Sequence, residues 1–438
     1  MKILRWLLFI GLFFMPLLDG GVHIAGYRLV LFNLYSTLLF AMALIILRRR
    51  KGLNLRQGSI KTYLVLFSLS WFIASIGAVH SDIALFGALK NLQLLFFALI
   101  IALTVKKIEY IRFYMLGLLG GSAWVSAIGW VQSFLGNEVL SIRANMQVNA
   151  LHYLGAPGQY GIRTVTAFND PIMSGYFLSV VFCMALGWAL GTKNRQEQTW
   201  LLILAAFISV PLLTSGSRGP IFSAIVTGSI LIFFFVMKKK GVFLFIPIGM
   251  FLILFNQDIF RIVYSTGIFN VILDRFRYGF ESTRLEYWVE ILSMAKSYPF
   301  GVGIGNYPYV ASRYISSYLL YIVTPSGWLV ETHAESMYLT QLIEIGWLGF
   351  LAFLGVVSSS VLYGWKLLLN LKNAASGIER GIRAGMFGAW MSIALSMVTS
   401  YGYNNIGIAM LFWFLVGLSM ISQDRLRLVS MKGSVSTV

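Results

Sequence analysis

The chain is a succession of apolar stretches separated by short basic and polar clusters. A charge-free stretch of about 17 to 25 residues is long enough to cross the hydrocarbon core of a bilayer as a helix. Such stretches run over 29–47, 113–137, 171–192, 198–217, 219–237 and 241–257, with further spans near 6–18, 62–79, 84–105 and 337–363. The interval between Arg383 and Asp424 is too long for one span and is broken by Tyr401-Gly402-Tyr403-Asn404-Asn405, so it reads as two helices. The pattern predicts an all-α polytopic membrane protein with about twelve transmembrane helices. Lys2 and Arg5 ahead of an apolar run resemble a signal peptide, but no small-residue cleavage site follows, and the segment is read as the first span.

Composition agrees with this reading. Of 438 residues 58% are apolar and 11% charged, far from the roughly 25% charged of a soluble domain. The single cysteine, Cys183, excludes an intrachain disulfide and a cysteine-based metal site. A net charge of +18 would suggest nucleic acid in a soluble chain, but the placement of the charges argues otherwise. Of the 34 Lys and Arg, 23 fall in alternate loops and the two tails: Lys2 and Arg5, Arg48 to Lys61, Lys106 to Arg112, Lys193 and Arg195, Lys238 to Lys240, Lys366 to Arg383, and Arg425 to Lys432. Glu109, Glu197, Glu344, Glu379 and Asp424 are grouped with that side, with a place within the membrane as the alternative for Glu344. By the positive-inside rule this side is cytoplasmic, with both termini on it, and the charge reports topology.

Three regions follow. Residues 1–255 hold helices one to nine with an outer loop at 136–170; 256–335 form a large extracytoplasmic loop before the tenth span; 336–438 hold helices ten to twelve and a cytoplasmic tail. A loop of this length is uncommon without structure or function of its own. Within it Thr283-Arg284-Leu285-Glu286 has the form of a capping box, and Leu285, Trp288, Val289, Leu292 and Ala295 follow at helical spacing. This predicts an amphipathic helix ending before Pro299, seated on the membrane surface or over a cavity.

Several residues carry candidate chemistry. Arg284 adds a guanidinium to the free N–H groups of a helix start, a ready anion site, against the plainer reading of a solvated arginine. Ser215-Gly216-Ser217-Arg218-Gly219-Pro220 joins two spans and presents Arg218 near a helix N-terminus for diphosphate binding, or as an interfacial arginine that snorkels. Lys90 interrupts an apolar helix, at a cost of about 2.5 to 3.5 kcal/mol, which asks for a partner, a ligand or snorkelling. Arg143 and Arg163, with Phe168-Asn169-Asp170-Pro171, and Arg275 and Arg277 offer further guanidinium groups to a polyanionic head group. Gly301-Val302-Gly303-Ile304-Gly305 has no βαβ context for dinucleotide binding; its glycines suit sharp turning after Pro299. Glu331 to Leu339 places carboxylates and His333 at a membrane boundary, where Glu335 or His333 is a candidate general base, while Ser336 suits a helix cap.

Together these features resemble the O-antigen polymerase and O-antigen ligase superfamily of GT-C type membrane glycosyltransferases. The resemblance rests on Lys90, the Arg163 to Gly175 segment, Ser217-Arg218-Gly219, Arg284 with Trp288, Pro-Phe-Gly-x-Gly-x-Gly at 299–305, and the segment before Tyr338-Leu339. It implies transfer of a glycan from an undecaprenyl diphosphate carrier to a glycan acceptor hydroxyl, at the outer face of the bacterial cytoplasmic (inner) membrane, in O-antigen and lipopolysaccharide synthesis. No nucleotide sugar, metal or other cofactor is implied, and nucleic acid is not a partner. Membrane lipid and a chain-length regulator protein are the further partners expected. Arg218, Arg284, Lys90 and Arg163 would hold the donor diphosphate. Ligases of the superfamily carry a His, a polar residue, nine residues and Gly-x-x-Gly. Counted back from Gly346 and Gly349, Ser336 takes the polar position and Glu335 the histidine position, with His333 two residues earlier. This departure favours a polymerase of oligosaccharide repeat units over a ligase acting on lipid A core. A transporter or flippase of lipid-linked glycans is the reading from another class.

Overall fold

The computed structural model describes residues 2–18, 21–24, 27–48, 59–135, 153–154, 161–168, 170–237, 282–314, 321–324, 327–330, 336–374, 376–403 and 405–421. These form a helical bundle: α1 Lys2–Phe13, α2 Leu31–Arg48, α3 Ser59–Ile76, α4 Ser81–Thr104, α5 Ile108–Leu135, α6 Pro171–Gly191, α7 Arg195–Thr214, α8 Arg218–Ile232, α9 Ser282–Ser297, α10 Tyr307–Tyr314, α11 Met337–Leu369, α12 Gly377–Thr399 and α13 Ile406–Ser419. Among the described residues seven helices are long and apolar enough to span a membrane, and shorter apolar helices lie at Leu31–Ile45, Ile60–Ile76 and Ile406–Ser419. The chain is a polytopic membrane protein. The expected ninth span at 241–257 lies outside the described residues.

The structure adds what an all-helical expectation lacked. Three short antiparallel hairpins pair Gly21–Ile24 with Tyr27–Val30, Tyr153–Leu154 with Gly161–Ile162, and Tyr321–Thr324 with Gly327–Val330. Each is a local device that pairs its own backbone groups in a connecting segment.

Helix α6 forms the centre, packed on α12, α7 and α8, with every residue of α13 buried beside them. Lipid tails are as apolar as leucine, so close backbone approach and interhelical hydrogen bonds supply much of the attraction. Gly187 and Gly191 of α6 face the backbone of Ala384 and Arg380 in α12, where an added Cβ would come within 2.6 and 2.7 Å of a carbonyl oxygen. Deeper in the same seam Ser223 of α8 bonds Ser396 of α12 at 2.7 Å, and Ser396 reaches Ser179 of α6.

A cluster of basic residues marks one end. Arg112 on α5 pairs with Glu197 on α7 at 3.0 Å, buried Arg383 pairs with Glu379, and Lys193 packs on Gly377. The opposite end holds the turn from α7 to α8, the start of α6, the α3–α4 turn and the crossing from α12 to α13. This second end carries the candidate site.

Candidate functional site

The α7–α8 turn is built tightly. Gly216 has φ of 60°, a left-handed conformation that suits glycine. Arg163, 6% exposed, donates from Nε to the Ser215 carbonyl at 2.7 Å and from Nη2 to Ser217 Oγ at 3.2 Å. Ser217 Oγ donates in turn to the Pro171 carbonyl at 2.6 Å, so this serine fastens α8 to α6 and makes no side-chain cap for its own helix. Arg218 is the first residue of α8, half-buried, behind an N-cap serine that makes no side-chain capping bond. Gly219 packs on Thr399 and Ser400, which seats the turn against the α12–α13 crossing.

The strap before α6 supports the same turn. Gln132 of α5 accepts from the N–H groups of Val165 and Thr166 through Oε1, at 3.2 and 2.7 Å, and Thr166 takes φ of 47°. Asp170 caps α6, accepting from Ile172 and Met173 at 2.7 and 2.8 Å. The Phe-Asn-Asp-Pro run thus supplies a buried ring at Phe168 and a helix cap at Asp170.

The second part of the site is a break in α11. Gly346 takes φ of 70° and ψ of −178°, which ends helical hydrogen bonding in the middle of an apolar run. The glycine loop between α9 and α10 fills the gap. Val302 and Gly303 donate to the carbonyls of Ile343 and Glu344, each at 2.9 Å, and Trp347 donates to the Pro299 carbonyl at 3.0 Å. An unbroken helix would pair those groups internally; here the loop supplies the partners, as an irregular backbone in a membrane protein requires. Gly301, Gly303 and Gly305 all have positive φ, between 79° and 90°, so the expected sharp turning is present and its purpose is this docking. Gly349 faces Ser70 of α3, where an added Cβ would stand 2.5 Å from Oγ. The two glycines of the Gly-x-x-Gly pair thus have separate roles, one in breaking α11 and one in admitting α3.

Asn306 ties the loop to the α3–α4 turn with both ends of its amide: Oδ1 accepts from the His80 N–H at 2.8 Å and Nδ2 donates to the His80 carbonyl at 3.1 Å. Below it Ile304 packs on Gly87. Lys90, three residues along α4 and half-buried, stands about 4.5 Å further along the helix axis, on the same face as that contact.

Sequence reasoning missed Glu344. Of the two placements the sequence allows, the structure favours the one within the membrane: Glu344 lies inside α11 toward the end opposite the basic cluster, 2% exposed, accepting from the Gly305 N–H at 2.8 Å. A charge two residues before a glycine inside an apolar span was the signal; its partner, forty residues earlier, was not visible. Burial first, then the Glu344 charge, then Tyr403, hold the phenol of Tyr401 well above its ordinary range, which places Tyr401 of the α12–α13 crossing in electrostatic reach of Glu344. The same crossing borders the Arg218 turn through Thr399 and Ser400.

The amphipathic helix forms as α9, from Ser282 to Ser297; of its expected apolar face Ala295 and Trp288 do pack inward, but Val289 and Leu292 do not. Ile291, Met294 and Ala295 pack with Val302, Tyr307, Leu342 and Ile343, while Val289 and Leu292 are 64% and 41% exposed. α9 is apolar on two sides, and α11 selects the Ile291 side. Arg284 lies in its first turn, one helical turn before half-buried Trp288. Ser336 stands at the N-cap position of α11 but makes no side-chain capping bond; its carbonyl accepts from Thr340 instead. Glu335, His333, Arg143, Arg275 and Arg277 lie outside the described residues.

Residues 201–354 match the family model described as O-antigen ligase. Over that stretch the chain is similar to a family of ligase- and polymerase-type membrane enzymes of surface polysaccharide synthesis. The matched stretch holds the Arg218 turn, α9, the glycine loop and the break in α11. A search of the curated proteins gave no match.

Proposed function

We propose, from the similarity to the O-antigen ligase family over residues 201–354, that this chain is a membrane glycosyltransferase polymerising undecaprenyl-diphosphate-linked oligosaccharide repeat units. The observation that carries the proposal is the seating of Arg218 at the start of α8, on a turn that buried Arg163 holds in place. A guanidinium at the positive end of a helix suits a diphosphate, which gains charge as the leaving group when the anomeric bond breaks. Arg284, at the start of α9, and Lys90, beside the glycine loop, would complete the cationic lining. Arg163 would act from beneath, by shaping the turn.

On this reading the site end faces the outside of the cytoplasmic membrane, both termini are cytoplasmic, and twelve spans enclose the site. Glu335, or His333 in its place, would take the proton of the attacking acceptor hydroxyl just ahead of α11. A ligase that moves finished polymer onto lipid A core is the second reading, favoured by the description of the matched family. The two separate by product: purified enzyme supplied with lipid-linked repeat units alone should yield a ladder of lengthened glycans. A ligase would leave the repeat units unextended until a lipid A core acceptor is added.

A further inference from the structure

Among the described residues two acidic side chains are buried, and they are satisfied differently. Glu379 pairs with Arg383. Glu344 uses Oε1 for the Gly305 N–H, and its Oε2 is buried with no hydrogen-bond partner among the described residues. A buried carboxylate oxygen without a donor is costly. Holding the glycine loop does not require it, because a glutamine would accept from Gly305 equally well through its own Oε1. The acid's second oxygen is therefore unexplained by the fold.

Its surroundings indicate what it would meet. It lies at the break in α11, in electrostatic reach of Tyr401 on the crossing that also borders the Arg218 turn. Burial favours the neutral acid and donors to its oxygens favour the carboxylate, which accepts hydrogen bonds only and repels phosphate, so the ligand group that matches the carboxylate is a donor that carries no negative charge. A lipid-linked glycan offers such donors abundantly as hydroxyls.

We propose that Oε2 of Glu344 accepts a hydrogen bond from a saccharide hydroxyl, making the break in α11 a glycan subsite beside the diphosphate site. This rests on the glycosyltransferase reading above. The acceptor glycan and the glycan carried by the donor share this chemistry, and kinetics separate them.

Glu344→Gln keeps the acceptor for Gly305 and replaces the second oxygen by a donor. In the purified full chain in lipid nanodiscs, it is expected to melt within a few degrees of the unmodified protein. Its KM should rise about 10- to 100-fold, the loss expected for one hydrogen bond to a charged group. With free repeat-unit oligosaccharide as the varied acceptor, a rise confined to the acceptor KM assigns the hydroxyl to the acceptor. A rise confined to the KM for lipid-linked repeat unit assigns it to the donor glycan. Unchanged kinetics overturn the proposal, as does a large drop in melting temperature that accounts for the lost activity, since either leaves Glu344 with a structural role alone. If the unmodified protein transfers no glycan, the enzyme reading fails by itself. Thermal stabilisation by the free oligosaccharide then decides the subsite: present in the unmodified protein and lost in Glu344→Gln, it stands; absent from both, or equal in both, it falls.

Discussion

Trp347 donates its backbone N–H to the carbonyl of Pro299 at 3.0 Å, across the gap that Gly346 opens in α11. With Val302 and Gly303 returning bonds to Ile343 and Glu344, the loop and the broken helix make one unit. The loop also reaches α4 through Asn306 and His80, and α9 packs on α11 above it. The positions of α9 and of the start of α11 at Ser336 are thereby set by the same joint.

Gly346→Ala should therefore damage the enzyme more than Gly349→Ala. At Gly346 a side chain would have to adopt a backbone region that is essentially glycine-only, at a cost of about 1 to 3 kcal/mol, and would meet the Pro299 and Phe300 backbone. At Gly349 the obstacle is a serine side chain and a neighbouring isoleucine. Melting temperatures and transfer rates of the two variants check the order. Equal effects would show that the break has no special role.

Arg163→Ala and Arg163→Lys should both lower the transfer rate about 10-fold or more, because two directed hydrogen bonds to Ser215 and Ser217 hold the turn and a lysine lacks the fork to make both. If lysine restores the rate, the positive charge matters and the geometry of the turn does not.

Much of this architecture was legible in the chain, and what escaped has a physical cause. Apolar length and charge-free intervals place the spans, because a bilayer imposes both. The capping box and Pro299 bound α9 well. Its buried face followed only at Trp288 and Ala295, since Val289 and Leu292 are as apolar as Ile291 and the choice belongs to α11. The break at Gly346 was hidden because apolar residues continue through it, and only pairing with residues some forty positions earlier reveals it. The same distance concealed Glu344. Ser336 had the identity of a cap, but the capping bond is not made.

Orientation rests on the distribution of basic residues. Cysteine introduced at Ser312, in α10 beside the glycine loop, should react with an impermeant thiol reagent applied from outside. Reaction only after membrane disruption would reverse the topology, and with it the side on which glycan is built.

The candidate bases ahead of α11 are separable by substitution. Glu335→Gln should slow transfer about 10²- to 10⁴-fold while donor binding is retained, and His333→Ala should do so if the imidazole is the base instead. Full activity in both variants and in the double variant would remove the base from this segment.

The central claim is that Arg218 and Arg284 hold the diphosphate of a lipid-linked glycan that the protein polymerises. Its most direct test is a reconstituted assay with purified protein and undecaprenyl-diphosphate-linked repeat units at limiting concentration, read as the length distribution of the glycan. The unmodified protein should give a ladder, and Arg218→Ala and Arg284→Ala should each slow its appearance by about 10- to 100-fold or more. A ladder formed at the normal rate by both variants would contradict the account.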